Sequence, residues 1–149
     1  MIPRMFEAIR EARKTGNPDG LVQAIPYARS MGISMRMQDG ELIGKMTFAD
    51  HLIGNATLPA LHGGALGALL ESTAVFKLMM EGETIKLPKT INITVEYLRS
   101  GKAVDTYARA ELTRHGRRVA NVRAFAYQDD PSRPIAAANA HFLLVPESE

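Results

Sequence analysis

Residues 61–80 read LHGGALGALLESTAVFKLMM, and the fold turns on how this stretch behaves. Over residues 64–81, Leu66, Leu69, Leu70, Thr73, Phe76 and Met80 recur at helical spacing, with alanines filling much of the rest. Only Glu71 and Lys77 carry charge before the final turn. A helix so apolar on nearly every side must be surrounded by the rest of its domain.

The flanking segments supply the wrapping. Residues 90–98 alternate, with Ile91, Ile93, Val95 and Tyr97 on one face and Thr90, Asn92, Thr94 and Glu96 on the other, which predicts a strand starting at Thr90. Residues 103–112, 119–127 and 134–145 follow as three extended segments joined through Arg114-His115-Gly116 and Asp129-Asp130-Pro131-Ser132, an antiparallel meander. In the last two, Ala120, Val122, Ala124 and Ala126, then Ala136, Ala138, Ala140 and Phe142, share one face each, and side chains that small let a central helix come close. Upstream, residues 32–38 and 41–48 flank Asp39-Gly40, a pair that favours a tight hairpin turn. Residues 3–14 predict a short amphipathic helix and residues 21–28 a second helical piece limited by Pro26, while residues 49–61 predict a loop. The layout is α+β, a curved antiparallel sheet around one long helix, with residues 1–29 as an N-terminal helical segment and 30–146 as the core of a single domain.

Bulk properties narrow the function. A chain of 149 residues has the length of one domain, and its 46% hydrophobic and 23% charged content excludes disordered and coiled-coil classes. The absence of cysteine excludes disulfides, thiolate zinc sites and a cysteine nucleophile, and suits a reducing, cytoplasmic setting. No run reaches the roughly 18 to 20 apolar residues of a membrane span, so no membrane partner is expected. A net charge of +2, with basic residues scattered or in short turn clusters, gives no reason to expect a nucleic-acid partner. His51, His62, His115 and His141 lack metal-ligand spacing, so no metal and no redox cofactor are expected.

Leu61-His62-Gly63-Gly64, an acidic residue nine positions after the histidine, and the strand Thr90-Ile91-Asn92-Ile93-Thr94-Val95-Glu96-Tyr97-Leu98 together resemble the hotdog-fold thioesterases, in particular their phenylacetate-pathway (PaaI-type) or 4-hydroxybenzoyl-CoA thioesterase-like branch. The resemblance runs from about Gly32 to Leu144. It implies a helix wrapped by its sheet, a homodimer or homotetramer with active sites at the dimer interface, and water attack on an acyl-CoA thioester. It further implies that Glu71 is the catalytic acidic residue, that the Gly63 amide polarises the carbonyl, and that the Thr90 hydroxyl helps to position water. Two features depart from the pattern. Asn55 lies seven residues before His62, where many members place an asparagine about six before, and Glu stands where one subgroup has Asp.

The chemistry of the residues agrees with that implication. Glu71 is a lone carboxylate two turns into an apolar helix, and it can act as general base or as nucleophile. Gly63 and Gly64 open the helix, where unpaired amides and the positive dipole end stabilise a developing oxyanion. His62 either donates to substrate or fixes the loop. Asn55 either holds water or the carbonyl oxygen, or forms a turn. Thr90 offers its hydroxyl near Glu71 or is an ordinary strand threonine. Arg99, Arg117 and Arg118, at or beside turns, are candidates for the phosphates of coenzyme A, which enters as part of the substrate. Phe76, Met79 and Met80 either line an acyl pocket or pack in the core. The expected activity is hydrolysis of an aryl or medium-chain acyl-CoA; a hotdog hydratase or dehydratase and a non-catalytic acyl-CoA-binding protein are the alternatives.

Overall fold

A computed structural model describes residues 2–147. Its elements run α1 (Ile2–Thr15), α2 (Asp19–Gln23), α3 (Pro26–Ser30), β1 (Ile33–Gln38), β2 (Glu41–Met46), a 3-10 turn (Asp50–Leu52), β3 (Ile53–Asn55), β4 (Ala60–Leu61), α4 (Gly63–Met80), β5 (Lys86–Tyr97), β6 (Thr106–His115), β7 (Val119–Tyr127) and β8 (Ala136–Pro146). Six strands form one antiparallel sheet in the order β1-β2-β6-β7-β8-β5. Helix α4 packs against five of them, β2, β5, β6, β7 and β8, and α1 crosses its other side. The small face expected of the last two strands is what admits it: Ala120, Val122, Ala124, Ala126, Ala136, Ala138, Ala140 and Phe142 are all buried. Leu69 and Leu70 are fully buried against this surface, each contributing about 1.5–3 kcal/mol relative to exposure. Ile9, Leu21 and Val22 of the N-terminal helices join the same core.

Several boundaries differ from the sequence expectation. Asp39 and Gly40 take positive φ of 51° and 79°, as the hairpin turn requires, but the second strand ends at Met46. Pro26 starts a separate short helix rather than interrupting a longer one, since proline suits the first helical turn. Residues 49–61, expected as a loop, contain the 3-10 turn and the two-stranded sheet of β3 and β4, segments too short to carry a readable period. β6 begins at Thr106, three residues later than expected, and ends at His115.

The largest differences concern β5. It begins at Lys86, four residues before Thr90, and includes Pro88. Proline is tolerated because β5 is an edge strand: it pairs with β8 alone, so its other edge is open among the described residues. The expected alternation of residues 90–98 is also broken. Thr90 pairs with Phe142 and Asn92 with His141, so Ile91 is an extra residue, a β-bulge. Ile91 is 54% exposed instead of facing the helix, while Thr90 moves to the face shared by Ile93 and Val95. No helix among the described residues is long and apolar enough to cross a membrane.

Candidate active site

Sequence sets the entry to α4. His62 is extended at the N-cap, φ −65° and ψ 133°, and its Nδ1 accepts the Gly64 N–H at 2.8 Å. The start of a helix leaves four backbone amides without helical partners, and here three of the four are satisfied. His62 N–H donates to Leu52 C=O at 2.8 Å, Gly64 N–H to the His62 ring, and Ala65 N–H to His62 C=O at 3.0 Å. Among the described residues the Gly63 N–H has no acceptor. Of the two glycines, Gly63 therefore keeps a free donor, while the Gly64 amide is consumed locally and its backbone lines the adjoining cavity.

That cavity, of about 340 Å³, lies along α4. Gly64, Gly67, Ala68 and Glu71 form its floor at intervals of three and four residues, Ile93 and Val95 of β5 form one wall, and Tyr27 of α3 stands at another. Glu71 is partly buried, and Thr90 Oγ1 donates to its Oε2 at 3.2 Å. The bulge at Ile91 makes this contact possible, because strict alternation with Ile93 would have turned Thr90 to the opposite face. A half-desolvated carboxylate beside a hydroxyl, in an otherwise apolar groove, can accept a proton from water or attack a carbonyl.

Other candidates lie apart. Asn55 Oδ1 accepts from the N–H groups of Thr57 and Leu58, at 3.0 and 3.2 Å, so its carbonyl oxygen is engaged in a turn. Phe76 and Met79 are buried in the core cluster and do not line the cavity. Arg99 borders a cavity of about 190 Å³ just beyond the end of β5, lined by Lys102 and Arg133 and also by Asp129 and Asp130. Arg117 and Arg118 border a groove of about 590 Å³ at its start, where Lys86 donates to Arg117 C=O. Twelve residues of strand separate these two arginine-bearing regions, roughly 40 Å. Gly63 and Glu71 are also separated within one chain: eight helical residues amount to about 12 Å.

Tyr27 and Tyr97 were not singled out from sequence as site residues. Tyr97 was visible only as a member of an alternating strand, yet its hydroxyl donates to Gly63 C=O at 2.8 Å. Tyr27 sits on a five-residue helix with no periodicity to mark it.

Comparison with known proteins adds a separate line of support. Residues 54–143 match the family described as acyl-CoA thioesterase N-terminal domain. A crystal structure of a Chromobacterium violaceum protein is 37% identical, with a TM-score of 0.75 over 96% of this chain and 99% of that one. A phenylacetic acid degradation-related protein from Ralstonia eutropha is 28% identical, with a TM-score of 0.70 over 80% of this chain and 90% of its own. The medium/long-chain acyl-CoA thioesterase YigI of Escherichia coli (strain K12) is 26% identical over 138 residues, 83% of this chain and 88% of that protein.

Proposed function

The chain belongs to the acyl-CoA thioesterase family of hotdog-fold hydrolases, and from that premise we propose that it cleaves an aryl or medium-chain acyl-CoA with Glu71 as its catalytic carboxylate and the Gly63 amide as oxyanion donor. The observation that carries this reading is the Glu71–Thr90 pair, a carboxylate and a hydroxyl 3.2 Å apart at the floor of an apolar cavity. Glu71 either draws a proton from water as it attacks the thioester carbonyl, or attacks directly to form a mixed anhydride that water then cleaves; in both cases the C–S bond breaks and coenzyme A leaves as the thiolate. Charge developing on the carbonyl oxygen is met by a backbone amide at the positive end of α4.

Helix geometry gives this proposal its quaternary form. A carbonyl in contact with Glu71 is out of reach of the Gly63 amide of the same helix, about 12 Å away, so one active site takes Glu71 from one copy and Gly63 from another. The open edge of β5 is the surface suited to that pairing, since an unpaired strand edge is a template for a second chain. Antiparallel pairing of two such edges would also bring the Arg99 end of one copy to the Arg117–Arg118 end of its partner, so that arginines of both copies can meet the phosphates of coenzyme A. Stacking of two such dimers gives a tetramer, and light scattering reads the number of copies directly.

The test is thiol release from a panel of aryl and fatty acyl-CoAs by wild type and Glu71→Ala, with scattering to check that both keep one oligomeric state. Wild type is expected to turn over at least one ester and the variant to lose about a hundredfold or more in kcat. A variant with the wild-type rate would remove Glu71 from the chemistry, and acyl-CoA binding without turnover by wild type would replace the enzyme with a binding protein.

A further inference from the structure

The peptide joining Gly63 to Gly64 is held at both ends. Its N–H donates to His62 Nδ1 at 2.8 Å, and its C=O accepts from the Tyr97 hydroxyl, also at 2.8 Å. The Tyr97 ring lies against Gly63 itself: a Cβ built on Gly63 would stand 3.1 Å from Tyr97 Cζ and 3.2 Å from both Cε1 and the hydroxyl oxygen. Tyr97 is the last residue of β5 and is 55% exposed. A tyrosine so open to water has no need of a protein acceptor to satisfy its hydroxyl. Nor does core packing explain a side chain that leaves the end of one element to cover the first residue of another.

We propose that Tyr97 is a positioning residue, which with His62 clamps the Gly63–Gly64 peptide so that the neighbouring Gly63 N–H stays aimed at the thioester oxygen. The proposal rests on Gly63 being the oxyanion donor. Its physical basis is the freedom of two successive glycines, which have the widest choice of backbone angles at the point where the amide must be fixed. A donor stabilises a transition state most when it need not reorganise as charge develops. Hydrogen bonds on the C=O and N–H of one peptide fix that plane, and the ring against the Gly63 Cα limits rotation about the bond leading back to the Gly63 amide. Glycine is required there because a side chain would meet the ring that does the holding.

Tyr97→Phe keeps the ring and removes the hydroxyl, and it is expected to lower kcat about tenfold, less than the loss of an oxyanion donor itself, with KM unchanged. Two probes separate positioning from a merely structural role. An acyl-CoA trifluoromethyl ketone, whose hydrated carbonyl mimics the tetrahedral oxyanion, should bind Tyr97→Phe more weakly by the same factor. A coenzyme A thioether lacking the carbonyl should bind both proteins alike, and the melting temperature should not move. Wild-type kcat in Tyr97→Phe, or equal weakening of both probes, would overturn the clamp while leaving the hydrolase in place. Should wild type itself release no thiol, the proposed function fails separately, and the ketone-to-thioether comparison alone decides for or against the clamp.

Discussion

The two ends of α4 are finished in opposite ways. At the C-terminal end Arg13 of α1 reaches over and donates to three carbonyls, from Nε to Met79 and from Nη1 to Gly82, each at 2.8 Å, and from Nη2 to Glu81 at 2.7 Å. Burial lowers the pKa of that guanidinium, a cost set against the carbonyl bonds and the negative end of the helix dipole. At the N-terminal end the capping is local and stops short, satisfying His62, Gly64 and Ala65 and leaving the Gly63 amide without an acceptor among the described residues. One end is closed with a long-range side chain and the other is left open where a substrate can complete it. Under the proposed function, that unpaired amide is where the thioester oxygen would be held.

The substitution that breaks this contrast most sharply is Gly63→Ala. Its methyl group would meet the Tyr97 ring at 3.1–3.2 Å, so either the ring or the first turn of α4 must shift, and the free amide moves with it. A loss of about a hundredfold in kcat is expected, the scale of an oxyanion-hole donor, with the melting temperature nearly unchanged. Steady-state kinetics beside a thermal melt checks this. Wild-type turnover in Gly63→Ala would mean that the open amide is incidental.

Arg13→Ala probes the opposite end and should give the opposite result. Three charge-assisted bonds to helix-terminal carbonyls disappear, and about 2 kcal/mol of stability should go with them. Urea unfolding reads that loss. Activity at temperatures where the variant stays folded should equal wild type, because Glu71 lies about two turns before Met79. A parallel fall in kcat would show that the ends of the helix are coupled rather than divided between stability and function.

Legibility in the sequence follows the same division between local and distant causes. α4, the β1–β2 hairpin and β7 were readable because each is fixed by its own period or its own turn residues: leucines at helical spacing, Asp39-Gly40, and alanines alternating from Ala120 to Ala126. The placement of Gly63 and Glu71 on one helix, eight residues apart, was readable because that spacing is local. Arg13 was not, since its acceptors lie more than 60 residues away in sequence. The bulge at Ile91 was hidden for a similar reason: it is decided by register against Phe142 and His141 on β8, and the sequence of β5 alternates without interruption. Tyr97 was quoted as part of that alternation, but its contact with Gly63 depends on where the end of β5 meets the start of α4. Local pattern located the central helix, and long-range register decided which neighbours reach it.

Thr90 is where that hidden register can be tested with the smallest change. Valine has nearly the shape of threonine and an equal taste for strands, so Thr90→Val removes the bond to Glu71 Oε2 and little else. One neutral donor to a partly buried carboxylate contributes about 0.5–1.5 kcal/mol, so kcat/KM should fall roughly three- to tenfold, well short of the Gly63→Ala loss. Thr90→Ser, which keeps the hydroxyl, should recover most of the wild-type rate. Recovery by serine but not valine would assign the bulge a chemical purpose, because without the extra residue Ile91 the hydroxyl would point away from the carboxylate. Equal rates in all three proteins would reduce the bulge to a feature of the sheet edge and leave Glu71 to act with water alone.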